Sequence, residues 1–208
     1  MNAVDLHRRL ERHSGLLIFG ILFVSAIGGL VQVLPSVLDD RLATPGPDVK
    51  PYGPVELTGR DIYIRESCGT CHSQQVRPLL AEVRRYGAFS RADEFAFDRP
   101  FLWGSKRTGP DLHRIGGRYS DVWHRLHLLD PRAVVPDSIM PAYPWLGERA
   151  ADAEGDIQAK MRALRLLGHP YTDADIEAAP AALEGLTEVD ALVAYLQGLG
   201  TSTGGDTR

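Results

Sequence analysis

Cys68 and Cys71 are the only cysteines in this chain of 208 residues, and with Gly69, Thr70 and His72 they spell C-x-x-C-H. That spacing constrains the fold more than any other feature, because it is the attachment signature of a c-type haem. Two thiols so placed can reach the two vinyl groups on one edge of a porphyrin, and the adjoining imidazole comes under the iron as proximal ligand. A chain built this way has to wrap a cofactor. Both cysteines belong to one haem, so none remains for a disulfide. A structural zinc site would need a second pair of thiolates or histidines at similar spacing, and the sequence has none. Nor do the flanks read as the βαβ frame of a thioredoxin-like pair. The expectation is one covalently attached haem c, carried by Cys68, Cys71 and His72.

The second constraint is Gly15 to Leu34, twenty residues without a charge. A helix of about 20 apolar residues crosses a hydrocarbon core of about 30 Å. A cleaved signal peptide is the rival reading, but its apolar part runs to only about 7–15 residues before a small-x-small site. Here the stretch continues into Leu34-Pro35-Ser36-Val37-Leu38, a poor cleavage context. A retained single-pass anchor over 15–34 is expected. Arg8, Arg9 and Arg12 precede it, whereas Asp39 and Asp40 with one Arg41 follow. The positive-inside rule then puts residues 1–14 in the cytoplasm. Everything beyond the anchor is expected on the periplasmic side of a bacterial inner membrane, where c-type haem is attached. Ser25 and Gly29, with Gly28 and Gln32, offer a small-residue face for another membrane helix. The formal charge of −4 comes from mixed signs with no basic block, which argues against nucleic acid as a partner.

Five prolines (35, 45, 47, 51 and 54) mark residues 35–57 as an extended linker. Residues 58–200 are then the haem domain, and 201–208 a disordered tail. Within the domain, Thr58 is expected to cap a helix running to about Ser67. Ser120 should cap a helix over Asp121–Leu129, stopped by Pro131. A third helix should cover about Asp152–Leu167, with a brief turn near Asp173–Ala178. Thr187 should cap the last helix, Glu188–Leu199, whose Leu192, Val193, Leu196 and Leu199 share one stripe. Residues 73–107 and 130–150 read as long loops, and no segment alternates as a strand would. The fold class is therefore all-α, a small haem domain with long loops behind one transmembrane helix.

A haem held by His72 needs an account of its sixth position. Met140 lies 68 residues after His72, in the proline-punctuated Ser138-Ile139-Met140-Pro141. A thioether favours ferrous iron and raises the potential, which suits electron transfer. Met140 is the candidate ligand, and a core gap-filler is the alternative. Met161 falls within an amphipathic helix and reads as a packing residue. His124 and His127 read as a solvated helix face beside Arg125, and His169 as a helix C-terminal cap.

Thr108-Gly109-Pro110-Asp111-Leu112-His113, ending in Gly116-Gly117-Arg118, resembles the T-G-P-x-L-H-x-x-x-G-R loop of class I cytochromes c. The resemblance implies that the Pro110 carbonyl accepts the Nδ1–H of His72, fixing the ring, and that Arg118 lies near a haem propionate. It also makes His113 a loop residue and not a ligand. Gly59 and Tyr63, with Leu192 and Tyr195, resemble the crossing of first and last helices in that fold. Longer strings extend the match: Gly59-Arg60-Asp61-Ile62-Tyr63-Ile64-Arg65-Glu66, Arg77-Pro78, Arg85-Tyr86-Gly87, Trp103-Gly104-Ser105-Lys106-Arg107 and Tyr143-Pro144-Trp145-Leu146. On these the chain is similar to subunit II, the anchored monohaem cytochrome c (FixO/CcoO type) of cbb3-type cytochrome c oxidase. That resemblance implies a non-catalytic wire. Electrons would arrive from a dihaem cytochrome c subunit and leave to the haem b/copper subunit that reduces oxygen and pumps protons. The monohaem subunit of nitric oxide reductase and a haem-based gas sensor are the alternatives.

Overall fold

A computed structural model of the chain describes residues 2–38 and 44–201. Asp39, Asp40 and Arg41, which enter the expected orientation, and all but the first residue of the expected tail lie outside the described residues. The chain divides into two compact units, Met1–Thr44 and Pro45–Arg208.

The first unit holds two helices. Helix α1 (Ala3–Arg12) is capped by Asn2, whose side chain accepts the Asp5 N–H at 2.9 Å. Helix α2 (Ser14–Leu38) contains an apolar span, Ser14–Pro35, of 22 residues with mean hydropathy 2.4 and no buried position. At about 1.5 Å per residue such a span is about 33 Å long, enough to anchor the chain in a membrane. The helix does not stop at Leu34 as expected but runs through Pro35 to Leu38. A proline this close to the end disturbs only the last turns, and the rest of the ladder stays intact.

The second unit is all-α. Its first helix, α3 (Pro54–Arg65), begins four residues before Thr58, inside the stretch expected to be linker. Gly53 is the N-cap, and its N–H donates to the Glu56 carboxylate at 2.9 Å. Proline suits the first helical position, where its missing N–H would have no partner anyway. Thr58 instead turns its hydroxyl back to donate to the Pro54 carbonyl at 2.9 Å. Helix α4 (Leu80–Tyr86) lies in what the sequence presented as loop. Helix α5 (Asp121–Leu129) is capped by Ser120, whose hydroxyl accepts the Trp123 N–H at 3.3 Å. Helix α6 (Ile157–Leu166) starts five residues later than expected, because the preceding segment is held in turns. There Ala151 N–H donates to Leu186 O at 2.9 Å, and Ala150 and Thr187 form an isolated antiparallel bridge. Helix α7 (Asp173–Leu183) outlasts the expected turn, helped by a capping box between Thr172 and Asp175. Helix α8 (Glu188–Gly198) is capped by Thr187. Among the described residues there is no strand.

Two apolar clusters organise this unit, and α3 belongs to both. Ile62 and Tyr63 pack with Leu128, Leu146, Leu192, Tyr195 and Leu196. One turn earlier, Leu57 packs with Ile157, Met161, Tyr171, Ile176 and Leu183. Met161 is therefore core. The crossing of α3 and α8 is as close as backbones come: a methyl group at Gly59 would sit 2.0 Å from the Ala191 carbonyl oxygen. No residue but glycine fits there.

Candidate cofactor site

The C-x-x-C-H segment follows α3 directly. Ser67, at φ 59°, breaks the helical path and feeds a 3-10 turn, Cys68–Thr70. Cys71 N–H and His72 N–H both donate to the Cys68 carbonyl, at 3.1 and 3.0 Å. This turn holds both thiols half-buried and unpaired.

His72 is then gripped by the loop from Thr108. Gly109 N–H donates to Cys71 O at 2.9 Å, and Leu112 N–H to Ser73 O at 2.8 Å. The His72 Nδ1 lies 2.8 Å from the Pro110 carbonyl oxygen. A carbonyl can only accept, so Nδ1 carries the proton and Nε2 keeps its lone pair for a ligand role. Burial lowers the His72 pKa, against the opposing Pro110 bond and Asp111 charge, and so favours the neutral imidazole. Asp111, itself buried, braces the same loop by accepting from Ser73 Oγ at 2.6 Å, Gln75 N–H at 2.8 Å and His113 N–H at 2.9 Å. Arg107 extends the brace to Ser73 Oγ and the Gln75 carbonyl, both at 2.7 Å, and to Glu82.

Facing His72 is a cleft of about 760 Å³, within the range of cofactor pockets. Cys68, Cys71, His72, Pro110 and Met140 all line it, with an apolar wall from Tyr63, Leu112, Ile115, Leu128, Leu192 and Leu196. Met140 reaches it from the 130–147 loop, which two 3-10 turns (Pro131–Ala133 and Pro144–Gly147) shape. The loop is tied to α5 by Tyr143 N–H donating to Leu128 O at 3.0 Å. Arg118 also lines the cleft; its guanidinium donates to the Tyr86 carbonyl and, at 3.4 Å, to that of Arg85.

Four histidines find a definite place. His124 is 3 % exposed and His127 is half-buried, and both line the cleft instead of forming a solvated face. Trp123 stacks on His127 at 4.7 Å and meets His124 edge-on at 5.5 Å. Positions 124, 127 and 128 fall on one side of α5, and Leu128 next to them was the signal that this side points inward. His169 caps α6 through its backbone and not through its ring. Its ring is buried between Phe97 and Tyr171, at 5.4 and 5.8 Å, while its backbone N–H helps close α6 as the expected cap by donating to Leu164 O at 3.1 Å. His113 stays outside the cleft. Its Nδ1 bonds Ser90 Oγ, Phe95 stacks on it at 4.6 Å, and burial drives its pKa down to about 3.

Two free thiols, an imidazole with an open Nε2, a thioether and an apolar lining in one cleft form a donor set suited to haem. No zinc-like cluster competes, for among the described residues no three His, Cys, Asp or Glu side chains gather to hold a bare metal ion. A search of curated proteins finds no match. A family model described as cytochrome c oxidase, mono-heme subunit/FixO, matches residues 7–187. That span takes in the apolar helix, the C-x-x-C-H turn, the His72 loop and Met140, and the chain belongs to the FixO family of mono-haem cytochrome c oxidase subunits.

Proposed function

We propose that Cys68 and Cys71 would join one haem c covalently, with His72 and Met140 as the residues that would hold its iron, and that the chain is the electron-transfer subunit of a cbb3-type oxidase. The haem, when bound, supplies a one-electron iron couple. The protein supplies the setting. The Pro110 carbonyl fixes the His72 ring and raises its basicity, and Asp111 and Arg107 hold that loop in place. Met140 offers a soft thioether that favours the ferrous state. Arg118 places a guanidinium at the cleft wall to offset a propionate charge. The apolar lining keeps water away, which limits solvent reorganisation as the charge changes.

As a member of a family of oxidase subunits, the chain acts within a larger complex. A dihaem cytochrome c subunit is the donor, and a haem b/copper subunit that reduces oxygen to water is the acceptor. Helix α2 anchors the chain in a bacterial inner membrane. Arg8, Arg9 and Arg12 before it favour a cytoplasmic N-terminus and a periplasmic haem domain.

The observation that carries this reading is the placement of Met140 in the same cleft as Cys68, Cys71 and His72, with the Pro110 carbonyl on the far nitrogen of His72. Two measurements test it. Acid-acetone extraction should leave the haem on the polypeptide; a haem that extracts freely refutes the attachment. Met140→His should lower the potential and abolish the sulfur-to-iron charge-transfer band of the oxidised protein. If that band persists, Met140 is not the ligand.

A further inference from the structure

Helix α1 has ten residues, and none of its described side chains is buried. An isolated helix shorter than about 12–15 residues is marginal in water, and the cap at Asn2 offsets only part of that deficit. A further surface has to support it, and the order of its residues says which kind. Leu6 and Leu10 stand one turn apart, both exposed. Arg8 and Arg12 stand one turn apart on the opposite side, with Arg9 on the flank. The two acids leave this division intact. Asp5 sits in the first turn, where the helix dipole favours it, and Glu11 pairs with His7 at 3.6 Å.

His13 joins α1 to α2. Its φ of −111° and ψ of 90° are extended, and its N–H turns back to the Leu10 carbonyl at 3.3 Å, which closes α1 before Ser14 opens the next helix. One extended residue between two helices redirects the axis, so α1 does not simply continue the apolar span. That span begins at Ser14, so α1 ends where the chain enters hydrocarbon. A leucine stripe and an arginine stripe on opposite sides of a helix in that place match the two sides of a lipid interface. Leucines settle below the headgroups, and the long arginine side chains reach back to the phosphates.

We propose that α1 lies on the membrane surface at the N-terminal end of α2, with Leu6 and Leu10 among the acyl chains and Arg8, Arg9 and Arg12 on the phosphates of anionic lipids. The partner is a bilayer carrying anionic phospholipid headgroups, which attract basic residues held at its surface. The proposal rests on the reading of α2 as a membrane anchor and adds a second, lateral attachment to it. A lone span can turn about its own axis and slide along the membrane normal. A surface helix joined to its end restricts both motions, so that α2 offers a constant face to its neighbours.

The full-length haem-loaded chain is placed in nanodiscs of phosphatidylcholine, alone or with an equal part of phosphatidylglycerol, and hydrogen exchange is followed by mass spectrometry. In the mixed bilayer the α1 amides should exchange at least about tenfold more slowly than in an unfolded peptide, the low end of what one buried leucine supplies. Leu6→Ala with Leu10→Ala should abolish that protection, because alanine keeps the helix propensity and removes only the apolar contact. Arg8→Gln with Arg9→Gln should reduce it to the weaker level of phosphatidylcholine alone. Free exchange over α1 with α2 protected, or protection that survives the two alanines, overturns the proposal and leaves the anchor standing. Equal protection in the two bilayers overturns the contact with anionic lipid, and protection that appears only when other oxidase subunits are bound makes a protein the occupant. Free exchange over α2 in both bilayers refutes the anchor itself.

Discussion

A methyl group at position 109 would sit 2.3 Å from Cε1 of His72 and 2.8 Å from its Nδ1. The glycine there is a matter of space, since the loop backbone lies flat against the imidazole it positions. Gly109→Ala should therefore displace the ring or the Pro110 carbonyl, and the expected outcome is loss of haem incorporation or a mixed ligand state. The absorption spectrum of the oxidised protein checks this; a normal spectrum at normal haem content would show that the loop yields freely. The residues around this point differ in how well the sequence announced them. Cys68, Cys71 and His72 were legible because their chemistry fixes their spacing. The inward face of His124 and His127 was not, because Arg125 between them suggested water. What decides their burial is a long-range partner, the cleft itself, and no local pattern encodes that.

Helix α4 shows the same limit one level up. Its buried positions are Glu82 and Tyr86, so an apolar stripe never forms and periodicity cannot reveal it. Its inner face is electrostatic. Glu82 accepts the Arg77 N–H at 2.8 Å and meets Arg107 at 2.7 and 2.9 Å, and the Arg107 bonds above all hold its pKa at about 2. An ordinary glutamate titrates near 4.3. The native state thus binds fewer protons than the unfolded one in this window. The stabilisation from Glu82 is complete above about pH 4.3 and fades as pH falls toward about 2. Glu82→Gln should cost about 2–3 kcal/mol near pH 7, with the gap to wild type narrowing as the solution is acidified through that window. Thermal melts followed by circular dichroism over pH 2–7 measure it, and a constant gap would show that the charge is immaterial. By contrast, α5 and α8 were legible almost to the residue. Ser120 and Thr187 mark where they begin, and in α8 the buried leucines repeat with helical spacing. Helix α3 sits between these cases, since proline density looked like linker where Pro54 in fact starts a helix.

At the scale of the whole chain, the second unit has two apolar clusters of its own. It should fold without the first. Removing residues 1–34 and supplying an export signal is expected to give a soluble protein with normal haem content and spectrum. That product should fail to restore oxygen reduction when expressed at native level, because the anchor's contribution to local concentration is lost. Oxygen uptake by membranes from a strain carrying only the soluble form is the measurement, and full restoration would show the anchor to be dispensable. The general architecture was readable from composition and one pentapeptide, whereas the satellite cluster of α6 and α7 against Leu57 was not, because it joins segments about a hundred residues apart.

The crossing at Gly59 carries a consequence for biogenesis. Its partner, Ala191, follows 132 residues later, so during synthesis the C-x-x-C-H turn emerges long before the helix that crosses α3. Until that last helix arrives, α3 can lean on α6 and α7 through Leu57 but lacks the surface it crosses at Gly59, and the thiols beside it remain open. The order of the chain thus sets a window for maturation, and the final helix ends it. Truncation before Glu188 should accordingly leave a polypeptide that can acquire its haem and yet never hides it.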